Sequence, residues 1–555
     1  NREFGPGWSH SCEIALREST DQLTVEAFLG NGRVEDAYVW NSGTSEYDIP
    51  AGLYAKLEKT TPGGGADPYF TLTDKHGVVW TFDNYIDATK DLFYCTSIED
   101  PWGNEITFDY DTTNAHLVDT VTDTEGRVLT FTRNGSLQVT GITMSSTGIG
   151  DYGNVDIDYT YTSGELTKAE KTNTRLVDGG TKSRPYTDYT WTSTANPDDG
   201  MLNLVKDCGT TVLDFDYTVY DSTTPRCTLV TDADGFEYTY TYDVSSNNNF
   251  VTEDVTRYID PYGQKQEFIY TDLSGGDRTI DGRRDFLEDE AGSDITNAAI
   301  TTFSRDCDCG RIDEIVYDDG SEEEWVYDTW GNVTKYTRVS SDTNDTSLVK
   351  QWTYDDFDDY CRPLTSSGWL RAESNPSSKV TWAWNSDGTL ASVTHPTVTS
   401  GQPSSQSIQW TYGWNDIGGG ITDGRLGSIT NAAGEKTGYG YSGDTITKTL
   451  DPDGGGLQLA YKNVRNVFGQ TTQTEDPSGA TSQWDYTVTP DGRVLKIEGP
   501  NGQEIKYEYN LRGFRTEEDK LLEDSPSNRV ETTYAYESSG RMDSMTADAA
   551  TGGIQ

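Results

Sequence analysis

Pairs of aromatic residues separated by a single residue recur along most of the chain, usually a few residues after a glycine. Residues i and i+2 of a β-strand point to the same face of a sheet, so each pair marks one face and the residue between its members marks the other. This period of two predicts β-strands along almost the whole chain. The pairs are Phe108 and Tyr110, Tyr238 and Tyr240, Phe268 and Tyr270, Trp325 and Tyr327, Trp352 and Tyr354, Trp382 and Trp384, Tyr439 and Tyr441, Trp484 and Tyr486, Tyr507 and Tyr509, and Tyr534 and Tyr536.

Two kinds of turn separate the predicted strands. One follows the aromatic pair and combines Asp or Asn with Gly, as in residues 328–332 (DTWGN). The other has the form Asp-Pro-x-Gly, as in residues 260–263 (DPYG) and 476–479 (DPSG). Glycine tolerates the positive φ of a tight turn, and Pro in the second place with Gly in the fourth favours a type I turn. Each unit of about 20–25 residues is therefore predicted to be a β-hairpin.

About 20 such hairpins would place about 40 strands side by side, ~4.8 Å apart, in a strip on the order of 190 Å long. Open twisted sheets rarely exceed ~10 strands without curling, so the strip is predicted to spiral into a hollow tube or shell. The predicted fold class is all-β, with a β-rich opening block over residues 1–95 and a repeat shell, open-ended at its C-terminus, over residues 96–555. The best candidate for a helix, residues 516–523 (TEEDKLLE), is short.

Composition supports a thin wall rather than a deep core. Hydrophobic residues make up only 33% of the 555 residues, while aromatic residues reach 12% and include 34 tyrosines. A typical globular domain has a larger apolar fraction. Tyrosine suits a wall with two partly wet faces, because its ring packs on neighbouring rings while its hydroxyl group reaches water or the backbone.

The charge of the chain excludes several classes of partner. The 92 acidic residues outnumber the 42 basic ones, which gives a formal net charge of −50. Binding to nucleic acid needs clustered Lys and Arg, and docking on anionic lipid needs a positive surface. No apolar run approaches the ~20 residues that cross a bilayer. We therefore expect no nucleic-acid partner and no membrane insertion of this region, and we interpret the charge as a source of solubility.

The sequence predicts no catalytic residues and no cofactor, so the chain is expected not to be an enzyme. Of the four histidines, only His10 follows a serine, and no Gly-x-Ser-x-Gly motif accompanies it. Acidic clusters at residues 232–235, 285–290, 322–324 and 355–359 resemble calcium loops in composition. None has the twelve-residue loop with its final Glu, so solvated loops are predicted. Weak Ca²⁺ binding there is the alternative, and a metal site is left unassigned.

Two of the seven cysteines flank a predicted hairpin. A cross-strand disulfide between Cys208 and Cys227 is one prediction for them. The odd number of cysteines leaves at least one thiol unpaired.

These hairpins resemble the Rhs/YD-repeat family, whose signature is a Tyr-Asp hairpin followed by Gly and by Leu or Val with Thr. Residues 4–9 (FGPGWS) and 69–82 are similar to the opening block that precedes the repeats in bacterial Rhs proteins. The family includes bacterial Rhs toxins, shell components of insecticidal toxin complexes and the teneurins of animal cell surfaces. The resemblance implies a β-strip that spirals into a hollow shell. The self-cleaving block of the toxin members has no match here, so its protease residues are not carried over.

The expected function is that of a non-catalytic scaffold, secreted or displayed on the cell surface, which assembles into a hollow tube or filament. Its expected partners are further copies of itself or other parts of a longer chain. One alternative is the shell portion of a polymorphic toxin that encloses a C-terminal effector absent from this chain. Another is a cell-surface adhesion module, in which the aromatic ladder binds a surface glycan.

Overall fold

The structure is a computed structural model, and it describes residues 3–4, 8–30, 37–50, 52–64, 66–87, 92–145, 155–171, 176–178, 181–192, 200–219, 225–242, 254–272, 278–286, 298–305, 311–342, 345–368, 370–371, 379–395, 409–418, 421–452, 458–466, 468–489, 491–521 and 529–548. Within these ranges the chain forms 47 β-strands and three short 3-10 helices, and no α-helix occurs in them. The same residues contain no helix that is long and apolar enough to span a membrane.

The strands in the N-terminal half are β1 Ile14–Glu18, β2 Thr24–Leu29, β3 Tyr38–Asn41, β4 Glu46–Asp48, β5 Ala55–Thr60, β6 Tyr69–Asp74, β7 Val79–Phe82, β8 Asn84–Asp87, β9 Leu92–Tyr94, β10 Ser97–Glu99, β11 Glu105–Tyr110, β12 Val118–Thr122, β13 Val128–Arg133, β14 Val139–Ser145, β15 Val155–Thr162, β16 Glu165–Lys171, β17 Leu176–Asp178, β18 Thr181–Ser183, β19 Tyr186–Trp191, β20 Leu202–Asp207, β21 Thr210–Val219, β22 Pro225–Asp232, β23 Glu237–Thr241, β24 Asp254–Ile259, β25 Lys265–Asp272 and β26 Arg278–Phe286.

The strands in the C-terminal half are β27 Ala298–Arg305, β28 Ile312–Val316, β29 Glu322–Tyr327, β30 Val333–Val339, β31 Leu348–Tyr354, β32 Pro363–Ser367, β33 Leu370–Arg371, β34 Lys379–Trp384, β35 Leu390–Thr394, β36 Gln409–Gly418, β37 Ile421–Thr430, β38 Lys436–Ser442, β39 Thr445–Leu450, β40 Leu459–Arg465, β41 Thr471–Glu475, β42 Gln483–Val488, β43 Val494–Glu498, β44 Glu504–Tyr509, β45 Arg515–Leu521, β46 Arg529–Tyr536 and β47 Met542–Asp548. The 3-10 helices are Phe357–Asp359, Gly479–Ser482 and Pro500–Gly502.

One continuous antiparallel sheet contains 38 of these strands and confirms the predicted strip. It begins with β5, β6, β7 and β10 and then follows the chain from hairpin to hairpin to β47, with the two-residue strand β33 pairing beside β31. In the described residues no pairing joins β5 to β47, so the strip has two ends and is not a closed barrel. Strands β17 and β18 form a separate hairpin.

A second sheet of six strands, in the order β4-β3-β2-β1-β9-β8, packs against the beginning of the strip. Leu16, Tyr38 and Phe93 from this sheet and Phe70 and Phe82 from the strip are almost completely buried. The rings of Phe70 and Phe93 meet edge to face, with their centroids 4.8 Å apart. Most of the fully buried apolar side chains of the described chain lie in this region, which is therefore the hydrophobic core of the molecule.

Residues 516–521, the described part of the segment 516–523, do not form the helix that its composition favours. Arg515–Leu521 is strand β45, which pairs with β44 on one side and with β46 on the other. Hydrogen bonds to two neighbouring strands outweigh the local preference of a short acidic segment, because helix propensity amounts to less than ~1 kcal/mol per residue.

The strip coils back on itself, so that turns far apart in the sequence meet along a line that we call the seam. We refer to the strands before residue 306 as the first coil and to those after residue 310 as the second coil. The seam includes Lys75 Nζ with Asn332 Oδ1 at 2.9 Å, Lys56 Nζ with Asp358 Oδ1 at 2.9 Å, Lys171 Nζ with Asp491 Oδ2 at 3.6 Å, Arg512 Nε with Asp207 Oδ2 at 3.5 Å, Cys208 Sγ with Leu511 O at 3.3 Å, Ser538 Oγ with Ala233 O at 2.8 Å and Arg541 Nη2 with Asp234 Oδ2 at 3.3 Å.

The distance in sequence between partners across the seam is between 257 and 320 residues, the longest being that of Lys171 and Asp491. It is 257 residues for Lys75 and Asn332, 302 for Lys56 and Asp358, and 303 for Cys208 and Leu511. It is 305 residues for the last of these hydrogen bonds, from Ser538 to the carbonyl group of residue 233. About 20 strands therefore make up one circuit, which at ~4.8 Å per strand gives a circumference of ~100 Å and a diameter of ~30 Å. The described strands complete nearly two circuits.

Glycines let aromatic rings approach the backbone across the seam. A Cβ atom on Gly331 would lie 2.3 Å from the ring of Tyr54, and one on Gly77 would lie 2.3 Å from the ring of Tyr360. Both glycines also have positive φ, of +71° and +81°. Any side chain at either position would have to displace the tyrosine ring that packs on it.

Candidate functional site: the aromatic donors and Asx turns of the repeat

The second aromatic residue of most repeats stands at a β-bulge and donates a hydrogen bond to the preceding strand. Tyr509, for example, follows the register shift at Glu508 and donates from its hydroxyl group to Val494 O at 2.8 Å. The same arrangement is found for Tyr110 with Cys95 O, Tyr327 with Ile312 O, Trp384 with Pro363 O and Tyr536 with Arg515 O, at distances of 2.6–2.9 Å. Tyr441 also donates, to Leu426 O at 2.9 Å, but its strand pair has no register shift. Tyr270 and Tyr354 follow the same kind of register shift.

The aromatic donor completes hydrogen bonding where the ladder between two strands stops. Strands β43 and β44 pair from Glu498 and Glu504 to Lys496 and Lys506, which leaves Val494 two residues beyond the last pair. The Tyr509 hydroxyl group reaches that carbonyl group. A buried carbonyl group without a partner costs free energy comparable to a lost hydrogen bond, so each aromatic donor stabilises one rim of the strip.

Burial keeps these hydroxyl groups protonated. It raises the pKa of Tyr110, Tyr161 and Tyr509 above the ordinary value for tyrosine, with smaller contributions from neighbouring groups. A protonated hydroxyl group can donate at any pH at which the protein is used. These tyrosines therefore act as neutral hydrogen-bond donors.

The acidic residue of the turn has an equally regular role. Asp328 Oδ1 accepts hydrogen bonds from the backbone N–H groups of Trp330 and Asn332, both at 2.9 Å, and Gly331 N donates to Asp328 O. The same pair of side-chain bonds, from the second and fourth residues onward, is made by Asp74, Asp100, Asp123, Asn134, Asp232, Asp260, Asn431 and Asn466. An oxygen at the δ1 position is the common requirement, which both Asp and Asn supply.

The first aromatic residue of the pair packs against the next strand. Trp325 lies opposite Tyr336 with the rings stacked at 5.2 Å, and Tyr240 lies opposite Tyr258 at 5.4 Å. Phe108 is buried. These contacts are the cross-strand pairs that stabilise sheets. Further first members are Phe268, Trp352, Trp382, Tyr439, Tyr507 and Tyr534, in strands β25, β31, β34, β38, β44 and β46.

In two of the predicted pairs, the position of the second aromatic residue lies two residues further along the chain than predicted. At strand β23 the donor is Tyr242, which follows the strand and donates to Cys227 O at 2.7 Å. Tyr242 rather than Tyr240 therefore takes the place of the second aromatic residue. In strand β42 the register shift falls at Val488, and Tyr486 instead contacts Thr474 Oγ1 at 3.3 Å. Trp484 and Tyr486 are therefore not the equivalents of Tyr507 and Tyr509.

Sequence reasoning also missed five donors. They are Tyr161, Trp191, Tyr217, Tyr242 and Trp414, which donate to carbonyl groups at 2.7 Å. A signal was present, because Tyr110, Tyr217, Tyr242, Tyr327, Tyr441 and Tyr509 all reach back by the same 15 residues. Two of the five missed donors, Tyr217 and Tyr242, share this spacing.

The predicted disulfide between Cys208 and Cys227 is not formed, since both thiols are free. Cys208 lies in the turn before β21, whereas Cys227 lies opposite Tyr217, seven residues along that strand and ~23 Å away at ~3.3 Å per residue. Cys208 is engaged at the seam with Leu511 O, and burial raises the pKa of its thiol to about 11.

Cations of the protein itself pair with acidic residues in two of the clusters. Asp355 and Asp359 lie 2.9 and 3.3 Å from the guanidinium group of Arg362, and Asp358 lies 2.9 Å from Lys56 across the seam. In the cluster at residues 232–235, Asp234 pairs with an arginine across the same seam. Glu288, Asp289 and Glu290 of the cluster at 285–290 lie outside the described residues.

Glu322 and Glu324 lie close to a third carboxylate, that of Glu314 on the neighbouring strand. Their oxygen atoms are all within 4.8 Å of one another. Half-exposed carboxylates often lie together without an ion, and no further group in the described chain points to a metal there. The cluster therefore carries no metal assignment.

His10 has a structural role in the opening segment. Its Nε2 atom lies 2.9 Å from Glu3, and Arg133 Nη2 lies 3.0 Å from the same carboxylate. Burial opposes the charge on His10, but hydrogen bonds with Cys12 and Glu3 outweigh it and raise the pKa to about 9. The histidine pairs with Glu3 within the opening segment, and Arg133 joins the same carboxylate to strand β13.

No protein-family model and no curated protein matches the chain. Among solved structures it is similar to the crystal structure of TcdB2-TccC3, with a TM-score of 0.34 and 12% identity over 94% of this chain and 26% of that chain. It is also similar to TcdB2-TccC3 without its hypervariable C-terminal region, with a TM-score of 0.27 and 11% identity over 94% of this chain and 31% of that one.

A third similar structure is the Photorhabdus luminescens Tc holotoxin pore with a mutation in TccC3, with a TM-score of 0.28 and 11% identity over 94% of this chain and 28% of that one. The chain therefore spans about a quarter to a third of the length of these relatives. Similarity at this level does not allow functional roles to be assigned to residues of this chain. The architecture of the chain is established by its own strand pairings.

Proposed function

We propose that the chain is a non-catalytic structural scaffold whose coiled β-strip forms the wall of a hollow tube or shell outside the cell. The observation that carries this proposal is the seam, at which nearly two circuits of one strip meet edge to edge. A wall of this kind encloses space without a deep core, in keeping with the low apolar content of the chain. Its strong acidity favours solubility in the extracellular medium.

The contacts of the aromatic, Asp, Asn and His10 side chains support a structural role. The aromatic hydroxyl groups bind carbonyl groups of neighbouring strands, and the Asp and Asn side chains of the turns bind backbone N–H groups. His10, the histidine next to Ser9, is held by Glu3. Side chains committed to the backbone in this way are not free to act on a substrate.

The coil also favours a second candidate, the shell portion of a toxin that encloses a separate effector. Side chains ~5 Å long on the inner face would narrow a ~30 Å coil to a lumen of ~20 Å. A folded domain of 100 residues has a radius of gyration of ~13 Å and is too wide for that space. A helix of ~10–12 Å or an extended chain would fit, so cargo would have to enter unfolded.

Electron microscopy of the purified chain at neutral pH, with and without a chelator, tests the proposal. We expect hollow particles or tubes with a wall one sheet thick, stable in chelator. Solid globular particles would contradict both candidates. Separate closed particles would favour the toxin shell, and long tubes with an axial repeat would favour the scaffold.

A further inference from the structure

A cavity of about 550 Å³ lies where the opening segment, the first coil and the second coil meet. Phe4 and Trp8 line it from the opening segment, Tyr186 and Tyr189 from strand β19, and Leu511 from the second coil. Cavities of 300–1,000 Å³ are of the size that binds small molecules. The cavity is distinct from the aromatic donors and Asx turns described above.

Three cations line the cavity from both sides of the seam. Lys171 Nζ lies 3.6 Å from Asp491 Oδ2, and Arg493 contacts the same carboxylate. Arg512 Nε lies 3.5 Å from Asp207 Oδ2. Two carboxylates therefore face three cations, which leaves one positive charge in excess in a chain with a net charge of −50.

The other acidic groups at the cavity, Glu170 and Glu3, each contact two cations. Glu170 contacts Lys168 and lies 3.2 Å from Arg184 Nη1, and these hydrogen bonds hold the pKa of its carboxyl group below the ordinary value. His10 is paired with Glu3 at 2.9 Å. Neither pair changes the excess of positive charge at the seam.

The three cations are crowded. Burial and, after it, the charge of Arg493 lower the pKa of Lys171, and burial lowers the pKa of Arg493. Groups with lowered pKa values gain from a further negative charge, because it offsets both their mutual repulsion and their loss of solvation.

Aromatic groups form another part of the lining. Trp8 packs edge to face against Tyr189, with ring centroids 5.2 Å apart. The buried Nε1 atom of Trp8 has no hydrogen-bond partner among the described residues. The cavity thus offers ring surfaces and a free N–H donor beside a positive cluster.

We propose that this cavity binds a small acid in which a carboxylate is attached to a six-membered ring. The carboxylate faces Lys171, Arg493 and Arg512, and the ring packs among the aromatic side chains. Since the cations come from both coils, the bound acid joins the coils across the seam. This site does not depend on whether the coil is a scaffold or a toxin shell.

Titration calorimetry of the full chain with D-glucuronate, benzoate and D-glucose tests the proposal. We expect saturable binding of at least one of the two acids and no binding of the uncharged glucose. Preference for glucuronate would identify a sugar acid, and preference for benzoate an aromatic acid. Binding of glucose as tight as that of glucuronate, or no saturable binding of either acid at millimolar concentration, would overturn it.

A matched pair of lysine variants locates the site. Lys171→Gln is expected to raise the Kd of the acid about tenfold, because it removes a charge-assisted contact. Lys520→Gln is the control, because each of the two lysine side chains is 44% exposed and each pairs with a carboxylate of its own. Lys520, however, lies outside the cavity. Equal loss of binding in the two variants would mean non-specific attraction and would refute the site, provided that both keep the wild-type circular dichroism spectrum.

Discussion

Single side chains complete the hydrogen bonding of this wall where the strands themselves do not. Tyr509 reaches a carbonyl group that lies beyond the last pair of its ladder, and Asp260 binds the N–H groups of Tyr262 and Gln264 at 2.9 and 2.7 Å. Because the same two contacts recur from turn to turn, the contribution of one copy can be measured and taken as typical of the repeat.

Replacing Tyr509 by Phe should lower the free energy of unfolding by about 1–2 kcal/mol, because the carbonyl group of Val494 loses its donor while the ring remains. Unfolding in urea would measure the change. Tyr262→Phe is the matched control, since the Tyr262 side chain is 73% exposed, and it should leave stability unchanged. An equal effect of the two substitutions would show that the hydroxyl contact contributes nothing.

Two substitutions of Asp260 distinguish the effect of its charge from the effect of its hydrogen-bonding oxygen atom. Asp260→Ala should cost about 1–2 kcal/mol, because two backbone N–H groups lose their acceptor. Asp260→Asn should be nearly neutral, because Asn431 and Asn466 make the same two bonds in their own turns. Urea unfolding of both variants would decide, and a large loss in the Asn variant would mean that charge rather than the oxygen atom matters.

At the scale of elements, the wall consists of hairpins attached to one another by ladders and of an opening segment attached by charge. The segment that contains Glu3 and His10 is held to β13 and β14 through Arg133 and through the bond from Val139 N to Glu3 O at 2.8 Å. Its attachment should therefore depend on pH, whereas that of the hairpins should not.

The pKa of His10 is raised from its ordinary value of 6.5 to about 9 in the folded chain. The stabilisation is fully present below pH 6.5 and is lost as the pH rises through 9. Hydrogen-exchange protection of Val139, normalised to intrinsic rates, should fall over that interval. His10→Gln should abolish this dependence and His76→Gln, on an exposed side chain, should preserve it. Constant protection from pH 6.5 to 9 would rule out the charged His10.

Substitutions of two turn glycines allow the stability cost of backbone strain to be measured apart from the cost of contact across the seam. Gly331 and Gly434 both have positive φ, of +71° and +85°, but only Gly331 faces an aromatic ring, that of Tyr54, at 2.3 Å from an added Cβ. Gly434→Ala should cost about 1 kcal/mol from the left-handed conformation alone. Gly331→Ala should cost clearly more and expose the rim of β6 and β7 to proteolysis. Equal costs would mean that Tyr54 moves aside freely.

The hairpins could be predicted from the sequence because their signals are local. The exact pairs could not, since Tyr238, Tyr240 and Tyr242 form two overlapping pairs and only the bulge position distinguishes them. Strand β45 could not be predicted, because its acidic residues locally favour a helix. Pairing with a strand on each side is what makes it a strand. The seam could not be predicted from the sequence pattern, because it depends on how many strands complete one circuit. Sheet twist sets that number.

At the scale of the whole molecule, coiling converts a long ribbon into a short tube. An uncoiled strip of 38 strands would extend ~180 Å at ~4.8 Å per strand. Small-angle X-ray scattering should give a maximum dimension of less than half that length, together with the cross-section of a hollow cylinder ~30 Å across at the backbone. A maximum dimension near 180 Å would show that the coils separate in solution and that the seam does not hold.

The contrast between the ladder and the seam has a mechanical consequence. Around the circumference every strand is joined to the next by several backbone hydrogen bonds, whereas along the axis the coils meet through isolated side-chain contacts. A force along the axis would therefore part the coils before it broke a single ladder, and releasing the force would let them close again. The molecule should behave as an extension spring, soft lengthwise and stiff around its girth.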